Sequence, residues 1–253
     1  MKLPKIIFGI STEEAYKRAM SREGNGEKKK ETSIQLSVQA SINRKDYVKV
    51  PNTNTLIAKF EPDESKGLTW EKTHYKLAEN GLFMPAPALF MPYFMNVIDA
   101  YNGKIQLYDG LGNQINRKEV EDIYKHLTIN HVNNGAYSWL DALFKEENNF
   151  WYIETEHRVI NGKLKGTRQP LEICLMEDCY VSLDFNKQGL AIKKSNNQEY
   201  EQGKNIKFVY PRDGTVAGFV ANSDWADLDC YRIPQDSSSD LGVFPCAEGT
   251  SKN

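Results

Sequence analysis

Four histidines, His74, His126, His131 and His157, are the side chains of this sequence best suited to holding a metal or moving a proton near neutral pH. None follows an HxxxH or HExxH spacing, and only His126 and His131, five apart, are close enough along the chain to share an ion. The plainer reading of both is a surface or capped histidine. Glu154, Glu156 and His157 fall in one extended segment, where strand alternation puts the two carboxylates on one face and His157 on the other. Neighbouring carboxylates raise each other's pKa, which acid–base chemistry exploits, although a solvated strand face has the same pattern. The cysteines Cys174, Cys179, Cys230 and Cys246 contain no CxxC and are too few for a disulfide scaffold. Cys230 and Cys246 sit in apolar-flanked segments and read as buried structural thiols. Asp109-Gly110-Leu111-Gly112-Asn113 lies between QLY and QI, which makes it a hairpin turn and not a strand-to-helix phosphate cradle. No Ser–His–Asp arrangement is legible, so no residue is assigned a catalytic role.

The elements that would position these groups belong to a chain of 253 residues, enough for one or two domains with a core that needs no staples. Lys and Arg total 32 against 34 Asp and Glu, a net charge of −2 that argues against a nucleic-acid coat. The aromatic cluster Trp139, Phe150, Trp151 and Tyr152 has no basic stripe beside it, and reads as core instead of a base-stacking platform. The balance is uneven along the chain. From Thr215 onward the only basic residues are Arg232 and Lys252, against Asp224, Asp227, Asp229, Asp236, Asp240 and Glu248.

Helical signals dominate the first half. MKLPKIIFGIS reads as a first strand and not as an export signal, because its apolar run is short and no cleavage site follows. Ser11-Thr12-Glu13-Glu14 is a capping box opening a helix to Met20, and SREGNGEKKKETS after it reads as a surface loop. Short strands are expected at Ile34–Val38, Tyr47–Val50 and Thr55–Phe60. Thr69 caps a helix stopped by Gly81, and Pro92 opens another that ends at Asn102-Gly103. Asn116 starts a helix with the stripe Val120, Ile123, Tyr124, Leu127, and Ser138–Lys145 reads as a short helix with Trp139, Leu140, Leu143 and Phe144 inward. The uncharged stretch from Asn80 to Ile98 carries Pro85, Pro87 and Pro92, so it is expected to be a connector leading into a core helix and not a membrane span.

After this the period changes to two. Strands are expected at Phe150–Ile160, turned by the hairpin signal Asn161-Gly162, and at Glu172–Leu175, Tyr180–Phe185, Leu190–Lys193, Ile206–Tyr210, Val216–Ala221, Asp227–Arg232 and Leu241–Cys246. Helices first and strands afterwards predict a single α+β domain over 1–253.

The stretch from Gly214 to Ala247, GTVAGFVANSDWADLDCYRIPQDSSSDLGVFPCA, has a strand, a polar break, a second strand, a Pro-containing Asp/Ser loop and then Leu241-Gly242-Val243. It resembles the closing segment of C-type lectin folds related to formylglycine-generating enzyme, except that Phe244 stands where arginine is usual. Within that group it is most similar to the variable proteins of diversity-generating retroelements, particularly the archaeal ones. The likeness is good over this segment and loose over the preceding chain.

The resemblance implies a ligand-binding protein whose C-terminal segment is copied from a template with errors at adenines, placing interchangeable residues on a solvent-facing patch of a lectin scaffold. Residues of the mutable kind are Val220, Asn222, Asp224, Asp227, Asp229, Tyr231, Ile233, Asp236 and Ser237 within 214–247; Trp225 and Gln235 fall outside that set. Positions 227, 229, 231 and 233 share a face by alternation, with Leu228 and Cys230 opposite and Arg232 fitting that inner face less well. The expected partner is a macromolecule, a basic or polar protein, with Tyr231 as anchor; no nucleic acid, cofactor, metal or membrane span is expected, and no DxDxDG motif asks for calcium. Cytoplasm or a virus particle is the expected location. Two alternatives stay open. One is an oxidase of the formylglycine-generating type, which needs reactive cysteines from Cys230 and Cys246. The other is a structural virion or interaction protein.

Overall fold

The computed structural model describes residues 6–7, 10–11, 42–128, 136–222 and 224–249. By its contacts the chain divides into 1–37 and 38–253, and each is taken by itself. In the first, β1 (Ile6–Ile7) and β2 (Ile10–Ser11) form a short antiparallel hairpin. The helix expected from Ser11 to Met20, the loop after it and the strand expected at Ile34–Val38 lie outside the described residues.

Residues 38–253 are α+β. Early strands β3 (Tyr47–Lys49) and β4 (Thr55–Ala58) pair with the last strand, β12 (Cys246–Glu248), in a small antiparallel sheet. Three helices follow: α1 (Trp70–Glu79), α2 (Pro87–Tyr101) and α3 (Arg117–Thr128). Thr69 caps α1 by accepting the Lys72 N–H, and Asn116 accepts the Glu119 N–H at the start of α3. Gly81 and Gly103, at φ +67 and +74, supply the left-handed stops after α1 and α2. No helix of the described residues is long and apolar enough to cross a membrane.

The main sheet holds β5 (Tyr137–Glu147), β6 (Phe150–Ile160), β7 (Lys163–Pro170), β8 (Cys179–Ser182), β9 (Asn205–Val209), β10 (Val216–Ala221) and β11 (Ala226–Arg232). Its order is β7-β6-β5-β10-β11-β9-β8, antiparallel throughout except β11 with β9. One face carries Leu140, Phe144, Phe208, Phe219, Leu228 and Cys230 in the main core with α2 and α3. The opposite face is covered at one end by Trp70 and Leu77 of α1 and by Leu241 and Val243, which close over Trp139 and Val216.

That two-sided burial explains the largest departure from the sequence reading. Ser138–Lys145 is not a helix but the centre of β5. Leu140 and Phe144 enter the main core while Trp139 enters the second cluster and Leu143 packs against it, so the apolar residues run on both faces and imitate a helical spacing. Helix α2 starts at Pro87, not Pro92, because Pro87 takes the first helical position. Pro92 is tolerated inside the helix, where it and Ala88, whose carbonyl it leaves without its helical partner, are both solvent-exposed. Glu172–Leu175 and Leu190–Lys193 form no strand, only isolated bridges such as Phe185 with Ala191. Leu241–Pro245 is a buried extended connector bridged through Gly242 to Ser138, and pairing resumes only at Cys246. Asp109–Asn113 is the expected hairpin turn, its N–H groups at Leu111 and Asn113 donating to the Asp109 carboxylate.

Candidate functional site

Strand β11 alternates as its composition dictates up to Asp229. Leu228 and Cys230 are fully buried in the main core, while Asp227 and Asp229 lie on the opposite face, beside Lys207 and Val209 of β9 and Val220 and Gly218 of β10. Between Asp229 and Arg232 the register slips: Gly218 faces Asp229 but Val216 faces Arg232, so β11 carries an extra residue. This β-bulge reverses the alternation. Arg232, which simple alternation sends toward the core, therefore emerges on the face of Asp229. Its side chain passes over Gly218, the guanidinium stacks on Tyr137 at 4.4 Å from the ring centroid and hydrogen-bonds the Tyr137 hydroxyl.

The nine nominated residues separate by exposure. Asp224, Tyr231, Ile233 and Ser237 are exposed, Tyr231 at 53% and Ile233 at 62%. Val220, Asn222, Asp229 and Asp236 are half-buried, and Asp227 is buried. Several are held by the chain itself. Asn222 accepts the N–H groups of Asp224 and Trp225, and Asp236 accepts that of Ser238. Asp227 accepts the indole N–H of Trp225 at 3.2 Å through one oxygen, while the other has no hydrogen-bond partner. Burial, reinforced by the Asp229 charge, pushes the Asp227 carboxyl up to about 7 against the pull of Arg232 and Lys207.

Groups the sequence reading did not nominate surround the end of β11, one of them beside Tyr231, which the bulge turns off the face of Asp229. Arg212 lies between two rings, its guanidinium carbon 3.4 Å from the centroid of Tyr210 and 5.0 Å from that of Tyr231. Lys207 of β9 lies beside β11 and Tyr137 of β5 one strand beyond β10, and only the sheet order brings these distant segments there. A cavity of about 300 Å³ between α2 and the turn at 183–189, lined by Ala88, Pro92, Met95 and Phe185 among others, contains none of these residues.

The histidines are distributed differently from the sequence expectation. His126 is bound to Glu61 at 2.5 Å, and His131 lies outside the described residues. His74 and His157, far apart in sequence, meet Asp141 in a buried group whose candidate ligand atoms all lie within 4.8 Å of one another. A second bulge makes this possible. Between Thr155 and Arg158 β6 carries an extra residue, with Glu156 at φ +55, so that His157 and not Glu156 joins Glu154 on the face beneath α1. The expected Glu154–Glu156 pair is thereby separated, with Glu156 exposed and Glu154 half-buried. Cys230 and Cys246 are fully buried, and burial holds both thiols well above their ordinary range. Neither has the accessible thiolate that cysteine chemistry needs.

The fold and this face define an α+β protein with a predominantly antiparallel sheet and a half-open aromatic and acidic outer surface. Compared with protein-family models, curated proteins and solved structures, the chain gives no match in any of the three.

Proposed function

We propose that this chain is a ligand-binding protein of the C-type-lectin kind, recognising a protein partner through the exposed end of β11 and the loop that follows. The observation that carries the reading is the exposure of Tyr231 and Ile233 directly against a strand whose Leu228 and Cys230 are fully buried. Large side chains at such positions contribute nothing to the core, and a tyrosine offers rigid contact area with a polar end at low entropic cost. The stacked Arg212 extends the surface beside Tyr231, and Trp225, 37% exposed, stands next to Asp227 at the other end of β11. Exposed Asp224 suits a basic or polar surface, whereas Asp229 and Asp236 are both drawn to Arg232.

Diversification by a retroelement belongs to this proposal. The exposed positions 224, 231, 233 and 237 can change without disturbing the core, as a varied patch requires. Asp227 and Asp229 are more constrained, because both are engaged with neighbouring groups on the sheet.

The test has two arms. The DNA flanking the coding sequence is expected to contain a reverse transcriptase and an adenine-rich near-copy of the part encoding 214–247; their absence overturns the diversification. A full-length chain with Ala or Ser at 224, 231, 233 and 237 is expected to keep its melting temperature, and its unfolding overturns the display face.

A further inference from the structure

Asp141 occupies the centre of β5 and is 1% exposed, among the deepest charged side chains described. Burying a carboxylate demands compensation by hydrogen bonds and positive charge. One oxygen, Oδ2, accepts the backbone N–H of His157 at 2.9 Å, which the bulge in β6 has released from the strand ladder. The other, Oδ1, lies 2.6 Å from His157 Nδ1 and 3.6 Å from His74 Nε2. The second separation is too long for a hydrogen bond, and His74 Nε2 is left buried with no partner at all.

The surroundings are shaped around this group. Trp70 presents its ring edge-on to both imidazoles, with centroids 4.4 Å from His74 and 4.9 Å from His157. Its indole N–H donates to the Leu140 carbonyl, fixing the ring. On β7 a glycine, Gly166, stands opposite the bulge, and a Cβ there would overlap the His157 ring. A left-handed Glu156, a glycine and an orphaned nitrogen in one place cost stability unless something repays them.

We infer that His74 Nε2, Asp141 Oδ1 and a ring nitrogen of His157 form a binding site for a divalent zinc-like cation, which clamps α1 to β5 and β6. Two ligand atoms at about 2.0–2.1 Å from a tetrahedral ion stand about 3.4 Å apart, close to the 3.6 Å between His74 and Asp141. Metal binding would displace the proton between His157 and Asp141 and open that contact by less than an ångström. Two imidazoles and a carboxylate are a donor set that suits zinc, with a water completing the four-coordinate ion. This site is independent of the β11 face and does not rest on its function.

The experiment uses the full chain, purified without chelator and analysed for metal, then stripped and titrated with Co²⁺ and with Zn²⁺. One equivalent of zinc per chain is expected, with visible bands of four-coordinate Co²⁺ that Zn²⁺ displaces. The bands should be lost in His74→Gln and in His157→Gln, with the far-ultraviolet circular dichroism unchanged. Absence of both retained zinc and Co²⁺ bands in the wild-type chain overturns the inference, and that result decides even if neither variant folds. Bands that survive in both folded variants overturn it equally.

Discussion

Asp229 holds Arg232 on its own side of β11, with Oδ2 of the carboxylate 3.0 Å from the guanidinium Nε, although alternation would put residues three apart on opposite faces. The bulge between them frees the N–H of Tyr231, and Asp229 Oδ1 accepts it at 2.9 Å. A single carboxylate therefore caps the bulge and holds the arginine that the bulge has turned outward. Asp141 does the same for the bulge in β6 through the His157 N–H.

Replacing Asp229 by Ala leaves the Tyr231 N–H without its acceptor and removes the nearer carboxylate from a guanidinium that keeps Tyr137 and Asp236, at an expected cost of about 1–3 kcal/mol. Arg232→Met is expected to cost less, because Tyr137 and the Gly218 surface keep the aliphatic stem packed. The double variant should be non-additive by roughly 0.5–3 kcal/mol, measured by urea denaturation. Strict additivity would show that the two residues do not act together.

Core and display positions on β11 and just beyond it should respond oppositely. Leu228→Ala, fully buried against the helices, is expected to lose about 2–5 kcal/mol. Tyr231→Ala combined with Ile233→Ser, both exposed, should remain within about 1 kcal/mol of the wild-type chain. Equilibrium unfolding of the two variants, side by side, decides whether the outer face is free of structural duty.

Asp227 gives stability a measurable pH dependence. Its carboxyl titrates at about 7 when folded against an ordinary value of 3.8, so between those limits the folded chain holds a proton that the unfolded chain has released. Stability contributed by this group is therefore full below about pH 4 and falls as pH rises to about 7. Asp227→Asn keeps an acceptor for Trp225 and removes the charge. It should match the wild-type chain near pH 4 and exceed it at pH 8 by on the order of 2–4 kcal/mol. Asp229, Arg232 and Lys207 are the charged groups facing it, and denaturation midpoints across that range are the measurement.

Two glycines separate backbone strain from crowding. Gly214 has φ +74 with open space around it, so Gly214→Ala should cost about 1–2 kcal/mol. Gly189 has φ +79, and a Cβ there would overlap the backbone of Pro87 and Ala88 at the start of α2. Gly189→Ala should cost roughly 2–5 kcal/mol, since neither backbone can give way. Thermal melts of the two variants read the difference.

By itself the sequence determined the local pieces. Thr69 and Asn116 cap their helices, Gly81 and Gly103 stop theirs, and Asn161-Gly162 turns β6 into β7, because each depends on one residue and its immediate neighbours. The inward Leu228 and Cys230 were likewise legible from alternation, and the exposure of Tyr231 and Ile233 from residue type, but the bulge turns those two off the face of Asp227 and Asp229 that alternation had given them. What escaped was set by packing at long range. Ser138–Lys145 became a strand because both faces of β5 are buried, which erases the period that distinguishes strand from helix. Arg232 and His157 changed faces because a bulge inserts one residue, and a period-two pattern inverts with every insertion. The meeting of His74, Asp141 and His157 had no signal in spacing at all, since a helix and two strands contribute one residue each. Only the tertiary structure decided it, by laying α1 across β5 and β6 with Trp70 between the imidazoles and the Leu140 carbonyl.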